Sequence, residues 1–202
     1  FMITRPNAPT SLACPKEEIE KICAGFDGVV VVDEAYADFA DDNCLDLVGK
    51  YDNLIVTRTL SKSYSLAGIR LGLAFGDADL IAGMHKVRDS YNVNFLTQAA
   101  GRAALLDQTY FRECTDKIFL SRQLLTCELE ALGFAVLPSQ TNFLFAKAPV
   151  NAAELNEKLK QRGILVRYFA DPRIADYLRI TIGTEEENVL LLETLKEILA
   201  CV

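Results

Sequence analysis

Apolar residues in the first half of the chain form short continuous runs, and segments with helical patterns lie between them. The run Gly-Val-Val-Val-Val is stopped by Asp33 and shows no alternation of apolar and polar positions. Such β-branched runs are typical of strands covered on both faces, as in a parallel sheet. The first half is therefore predicted to be an α/β domain with a mostly parallel sheet and flanking helices. Its predicted strands cover 2–5, 28–32, 54–57 and 71–75, and its first predicted helix covers 15–24.

The second half of the chain has a different order of patterns. Residues 95–107 are rich in Ala and Leu, and 110–132 carry apolar residues at three- and four-residue spacings, which predicts one long helix. Thr184 followed by Glu187 is a capping box that begins a final helix over 185–200. We expect two parts, the α/β part over 1–108 and a smaller α+β domain over 109–202. The other elements predicted in the smaller domain are strands at 134–137, 142–146, 164–168 and 178–182 and a helix at 151–162.

Composition narrows the classes of function. The chain has 202 residues, 50% of them apolar, and a net charge of −7, which argues against a nucleic-acid partner. No apolar run approaches the ~20 residues needed to cross a bilayer, and the first residues show no signal-peptide pattern, so we expect a cytoplasmic protein with no membrane partner. Six scattered cysteines and one histidine predict reduced, mostly buried thiols and no metal site. Because the chain begins with Phe1 in a predicted strand, we expect it to be part of a longer polypeptide.

Four polar segments stand where predicted strands end or begin. Pro-Asn-Ala-Pro-Thr (6–10) follows the first strand, Asp-Glu-Ala-Tyr (33–36) the second and Thr-Leu-Ser-Lys (59–62) the third, and Ala-Gly-Ile-Arg-Leu-Gly (67–72) leads into the fourth. Open α/β sheets bind ligands at the carboxyl ends of their strands. Each segment alone is weak, since most Ser-Lys loops are solvated surface and most strand-ending aspartates are caps. Their order and spacing are far more specific.

The set resembles the class I/II aminotransferases of the fold-type I pyridoxal-phosphate (PLP) enzymes, and within them the histidinol-phosphate aminotransferase group. The resemblance covers essentially the whole chain and corresponds to the C-terminal part of that family, which implies that 1–108 is the C-terminal portion of a PLP-binding large domain and 109–202 is the small C-terminal domain. It departs at Ser11, where the family usually has glycine. The segments that carry it are PNAPT, VVVVDEAYADF, TRTLSKSYSLAGIRLG, YNVNFLTQAA, PSQTNFLFAK, GILVRYF and YLRITIGT.

The resemblance implies a role for each residue at the sheet edge. Lys62 would be the catalytic lysine that binds PLP covalently and moves the substrate proton. Asp33 would pair with the pyridinium nitrogen of the cofactor. Tyr36 and Asn7 would contact its phenolic oxygen. Charge-assisted bonds to its phosphate would come from Thr59, Ser61 and Arg70.

The resemblance also implies two substrate-binding arginines, a reaction and a partner. Arg179 would hold the substrate carboxylate, since a planar guanidinium matches that group bidentately. Arg167 would meet the substrate phosphate, with Arg173 as the competing candidate. The implied reaction moves an amino group between L-histidinol phosphate and 2-oxoglutarate in histidine biosynthesis, in a homodimer.

Alternatives remain open at this point. Threonine-phosphate decarboxylases and aromatic amino-acid aminotransferases share much of the motif set. The family's N-terminal part supplies a further phosphate-binding loop and a ring stacked on PLP, so a chain without it could be an inactive fragment.

Overall fold

A computed structural model describes residues 1–200, so Cys201 lies outside the described residues. The chain divides into two compact units. The first unit comprises residues 1–7 and 13–115, and the second comprises 8–12 and the residues from 116 onward. The division falls within one long helix, and the domain boundary predicted after residue 108 stays a prediction.

The first unit contains a four-stranded sheet in the order β1-β2-β3-β4. The strands β1, β2 and β3 pair in parallel, and β4 pairs antiparallel with β3. Short 3-10 turns cover Ala37–Phe39, Leu45–Leu47 and Ala67–Ile69. The strands are β1 (Met2–Thr4), β2 (Val30–Asp33), β3 (Leu54–Thr59) and β4 (Gly72–Gly76), and the helices are α1 (Lys16–Gly25), α2 (Ala78–Val87) and α3 (Phe95–Leu106).

One face of this sheet packs on helix α1. Val30 and Val32 are fully buried in a cluster with Ile19 and Cys23 of α1, while Val31 is only half-buried. The prediction that this strand is covered on both faces is therefore only partly right. Successive side chains on a strand point to opposite faces, and α1 covers one of them.

The second unit contains an antiparallel sheet in the order β5-β6-β8-β7. Its core includes Leu144, Leu178 and Ile180 from the strands and Leu155 and Leu195 from two helices. The predicted capping box is present, with Thr184 and Glu187 bonding each other's backbone N–H groups. The elements are β5 (Ala135–Val136), β6 (Phe143–Lys147), β7 (Arg167–Tyr168), β8 (Tyr177–Thr181), α5 (Ala152–Gln161) and α6 (Glu185–Leu199).

The long helix predicted over 110–132 is present as α4 (Gln108–Ala131), and it carries residues of both units. Within residues 1–200, none of the helices combines the length and apolarity needed to cross a bilayer. The five described cysteines are free, but only Cys23 and Cys44 are buried and Cys127 is exposed. The expectation of mostly buried thiols was therefore too broad, because a surface position on α4 also holds a cysteine.

Candidate active site

Strand direction brings the four predicted polar segments to one edge of the first sheet. The carboxyl ends of β1, β2 and β3 share this edge because these strands are parallel, and the amino end of β4 joins them because β4 runs the other way. In the register, Asp33 pairs with both Thr4 and Thr57, and Thr59 pairs with Gly72. The topology therefore groups the proposed cofactor-binding residues of the first unit along a single sheet edge.

Asp33 ends β2 with its carboxylate largely uncommitted. Its Oδ1 accepts a hydrogen bond from the backbone N–H of Ala35 at 3.1 Å and a long one from the Thr57 hydroxyl at 3.5 Å. Among residues 1–200, no Lys or Arg forms an ion pair with Asp33. A half-buried carboxylate without a cationic partner suits a ligand that carries a positive N–H group.

Lys62 is exposed in the loop after β3. Its Nζ lies 5.4 Å from the centroid of the Tyr36 ring, so these two predicted residues are close together. In the part of the chain that the structure describes, Lys62 forms no ion pair with a carboxylate. The amine is therefore accessible to a reactive carbonyl group.

The hydroxyls of Thr59 and Ser61 form a local pair beside Lys62. The Thr59 Oγ1–H donates to Ser61 Oγ at 2.9 Å, and the Ser61 backbone N–H donates to Thr59 Oγ1 at 3.1 Å. Arg70 is exposed, and its Nη1 donates to the Ala67 carbonyl at 2.9 Å. Hydroxyls and an arginine at the same sheet edge form the donor set that binds a phosphate group.

Helix α3 anchors the residues on both sides of Arg70. The Thr97 hydroxyl donates to the Ile69 carbonyl at 3.2 Å. A Cβ at Gly101 would lie only 2.3 Å from Cδ2 of Leu71, so α3 approaches Leu71 where it has no side chain. Arg70 itself has a left-handed backbone with φ 55°, which is uncommon for a residue other than glycine. Its neighbours therefore hold a strained backbone in place.

Asn7 lies in the loop after β1. Its Nδ2 donates to the Thr4 hydroxyl at 2.8 Å, and the side chain is half-buried. Further along this loop, Ser11 has φ 64°, which explains why the resembled family usually has glycine there. Within the second unit, the buried Ser11 hydroxyl donates to the Pro138 carbonyl at 3.2 Å. The serine therefore adopts the conformation that suits glycine and gains a hydrogen bond there.

Arg5 is a buried residue that the sequence reasoning did not identify. Its side chain is 2% exposed, its Nε donates to the Cys14 carbonyl at 2.8 Å, and its Nη2 donates to Asp42 at 2.6 Å. Burial alone would lower the pKa of Arg5, but the hydrogen bond to Asp42 and neighbouring charges raise it overall. The bond to Cys14 connects the two ends of the loop that carries Asn7, and the bond to Asp42 ties this loop to the segment after β2.

A second arginine cluster was also missed, and we call it the Arg58 cluster: Arg58, Glu34, Asp38 and Ser63. The guanidinium of Arg58 contacts Glu34 Oε2 at 2.8 Å and Asp38 Oδ1 at 2.7 Å. The other oxygen of Glu34 accepts from the Cys44 backbone N–H at 2.5 Å, and the other oxygen of Asp38 accepts from the Ser63 hydroxyl. The motif TRTLSK places Arg58 four residues before Lys62, which is the only signal that could have suggested it.

Arg167 and Arg179 are direct neighbours in the second unit. They pair in register across β7 and β8. The guanidinium carbon of Arg179 lies 5.1 Å from the Phe143 ring centroid and 5.8 Å from that of Phe169, and that of Arg167 lies 5.5 Å from Phe169. Neither arginine forms an ion pair within residues 1–200. Like charges directly opposite on a sheet are unfavourable, so this pair favours a bound anion.

Arg173, the competing candidate, has a different environment. It is 86% exposed and bonds Asp171 through Nε at 3.1 Å and Nη2 at 2.7 Å. The hydrogen bonds from Arg173 lower the pKa of the Asp171 carboxyl to about 2. Its charge is thus already matched by a carboxylate, which leaves Arg167 the better anion-binding candidate.

The amino-acid sequence is similar to those of known aminotransferases. The family model described as aminotransferase class I and II matches residues 1–195. The chain belongs to this family. It is 50% identical over 199 residues to a histidinol-phosphate aminotransferase of Geobacter sulfurreducens and 48% identical over 199 residues to that of Geobacter sp. strain M21. Both alignments cover 98% of this chain and 57% of the relative, so the chain spans little more than half the length of these aminotransferases.

A solved aminotransferase structure has the same fold. The histidinol-phosphate aminotransferase of Sinorhizobium meliloti, in complex with pyridoxal-5'-phosphate, superposes with a TM-score of 0.91 and 28% identity. The match covers 99% of this chain and 57% of the other. The predicted fold class is thereby confirmed, including the large-domain portion of a PLP-dependent transferase and the smaller α+β part.

Proposed function

We propose that the protein is a PLP-dependent aminotransferase that transfers the amino group between L-histidinol phosphate and 2-oxoglutarate. The observation that carries this proposal is the gathering of Asp33, Lys62 and Arg70 at one sheet edge without ion pairs among the described residues. The choice of substrate is supported by relatives that are named histidinol-phosphate aminotransferases and are 48% and 50% identical to this chain.

The residues at this edge fit PLP group by group. Asp33 would accept a hydrogen bond from the pyridinium N–H, and Tyr36 and Asn7 would contact the phenolic oxygen. Arg70, Ser61 and Thr59 would hold the phosphate. When bound, PLP supplies an electron sink for the substrate carbon that loses its proton.

Lys62 is the proposed catalytic residue. Its Nζ would attach the cofactor and, once the substrate amine replaces it, would accept the proton from the substrate carbon and return it to the cofactor side. Tyr36, close to Nζ, would orient the amine through its ring and hydroxyl. Asp33 would keep the pyridine nitrogen protonated while charge develops.

Arg167 and Arg179 would bind the anionic groups of the substrates. Two neighbouring guanidinium groups can hold a phosphate dianion or a carboxylate. L-Histidinol phosphate presents a phosphate and 2-oxoglutarate presents carboxylates, so one arginine pair could serve both half-reactions. Within the pair, we assign the substrate carboxylate to Arg179 and the substrate phosphate to Arg167.

The test uses the natural polypeptide in full, because the relatives are longer than this chain. We expect a visible absorption band with PLP that Lys62→Ala abolishes, and transfer of the amino group from L-histidinol phosphate to 2-oxoglutarate. A band that persists unchanged in Lys62→Ala would contradict the assignment of Lys62. Release of carbon dioxide from an amino-acid substrate such as L-threonine phosphate, without consumption of a keto acid, would instead identify a decarboxylase of the same fold.

We further propose a cytoplasmic homodimer with domains at 1–108 and 109–202. The family resemblance supports the dimer, and the free, buried thiols of Cys23 and Cys44 are typical of a reducing compartment. Light scattering on the purified protein should give twice the mass of one polypeptide. A monomeric mass would contradict the dimer.

A further inference from the structure

The Arg58 cluster joins the chain segments that carry three of the proposed cofactor-binding residues. Glu34 directly follows Asp33, Asp38 is two residues beyond Tyr36, and Ser63 directly follows Lys62. We propose that this cluster positions Asp33, Tyr36 and Lys62 for the cofactor while touching neither cofactor nor substrate. This inference rests on the proposed function.

The shape of the arginine side chain suits this role. Its Nε and Nη2 face Glu34 and its Nη1 faces Asp38, so one rigid planar group sets the spacing between the two carboxylates. A lysine ammonium carries the same charge on a single atom and lacks that planar fork. The positioning therefore depends on the geometry of residue 58 as well as on its charge.

Burial makes the cluster rigid. The Glu34 side chain is fully buried, and those of Arg58 and Asp38 are 14% and 25% exposed. The carboxylate oxygens accept further bonds from the Cys44 N–H and the Ser63 O–H, so both carboxylates are well satisfied. A buried and satisfied polar network specifies one arrangement of the segments that it connects.

Ser63 provides the link to the lysine loop. Its hydroxyl donates to Asp38, and its side chain is nearly buried beside an exposed Lys62. Without that hydroxyl, the loop would lose its bond to the turn after Tyr36, while the Arg58 ion pairs would remain. Ser63→Ala therefore tests the positioning of Lys62 with little change to the rest of the cluster.

The experiment uses the full natural polypeptide loaded with PLP. It measures the PLP dissociation constant, the visible circular dichroism of the bound cofactor, which reports the orientation of its ring, and the thermal unfolding midpoint. We expect Ser63→Ala to weaken PLP binding about tenfold, or about 1.4 kcal/mol, and to reduce the visible dichroism. Ser63→Thr, which keeps the hydroxyl, should restore both, whereas Arg58→Lys should lose the dichroism despite keeping its charge.

Thr115→Val is the matched control. It also removes a buried hydroxyl, one that donates within helix α4 to the Phe111 carbonyl at 3.1 Å. We expect it to leave the dichroism unchanged even if the unfolding midpoint falls. A wild-type band that depends on Lys62 but is insensitive to Ser63→Ala and Arg58→Lys would overturn this inference alone. Equal loss of dichroism in Thr115→Val would also overturn it, whereas a wild-type protein without any Lys62-dependent band would overturn the proposed function itself.

Discussion

Arginines in the two units of the chain have opposite surroundings. In the first unit, Arg58 is nearly buried and contacts two carboxylates. In the second unit, Arg167 and Arg179 lie side by side on phenylalanine rings and form no ion pair with any described residue. The first arrangement is complete without a ligand, while the second concentrates positive charge that only an outside anion can balance.

The difference distinguishes an arginine that stabilises the fold from two arginines that are available to bind a substrate. Removing a member of a buried ion pair leaves an uncompensated charge, which is costly. Removing one of two adjacent like charges relieves repulsion. Replacing arginine by methionine should therefore mainly lower stability in the first unit and mainly lower activity in the second.

The largest expected effect is on stability, in Arg58→Met. The change leaves Glu34 and Asp38 without their counter-charge, and we expect the free energy of unfolding to fall by about 3 kcal/mol. Denaturant unfolding measures it. Arg162→Met is the control, because its ion pair with Glu197 is exposed at 42% and 71% and should contribute less than about 0.5 kcal/mol. Equal losses in the two variants would remove the distinction.

The next effect is on activity, in Arg179→Met. We expect kcat/KM to fall about 100-fold, or about 2.7 kcal/mol, because a substrate anion loses its guanidinium partner. The free energy of unfolding should stay within about 0.5 kcal/mol, since the loss of ring contact is offset by less repulsion from Arg167. Steady-state kinetics and denaturant unfolding check both. Arg173→Met should leave kcat/KM within about twofold, and a comparable loss there would contradict the assignment.

A smaller effect concerns pH and sharpens the description of the Arg58 cluster. Burial and the nearby Glu34 carboxylate raise the pKa of the Cys44 thiol from 9.0 to about 12. Above pH 9 the unfolded chain releases this proton while the folded chain keeps it, so this contribution to stability falls as pH rises toward 12. We expect a loss of about 1 kcal/mol between pH 8 and pH 10. Denaturant unfolding at both pH values should show a smaller loss in Cys44→Ala, and an unchanged loss in the exposed Cys127→Ala.

The smallest effect tests the aromatic support of the arginine pair. In Phe169→Leu, both guanidinium groups lose a ring face that lies within 5.8 Å. We expect KM for the anionic substrate to rise about threefold, consistent with about 0.5–1 kcal/mol for an exposed cation–π contact. Steady-state kinetics over a range of substrate concentrations would measure KM, and we expect kcat to be unchanged. A fall in kcat without a change in KM would contradict a binding role for the ring.

Much of the fold could be predicted because its signals are local. The capping box needs only Thr184 and Glu187, three residues apart, and the strand β2 is marked by its own valines. The gathering of the polar segments at one sheet edge could be predicted too, because each segment adjoins a strand, while the roles of its residues stay predictions. The antiparallel direction of β4 has no local signal in the sequence, and only its pairing with β3 in the structure shows it.

What could not be predicted depends on pairing between distant residues. Arg58 meets Glu34 because the register aligns Asp33 with Thr57, and sequence patterns do not report register. The buried Arg5 is a similar case, since Asp42 is far from it along the chain. The left-handed conformation of Ser11 also lacks a local signal, because a glycine at a turn indicates a positive φ and a serine does not.

Helix α3 has a consequence for the evolution of anion affinity in this protein. Because Ile69 and Leu71 are both anchored on α3, the orientation of the proposed phosphate-binding Arg70 is set from a remote helix. A methyl group at Gly101 would lie 2.3 Å from Cδ2 of Leu71, so the Leu71 side chain would have to move, and we expect cofactor affinity to change with the packing beside Arg70. Cofactor retention could thus be tuned by mutations that never touch the ligand.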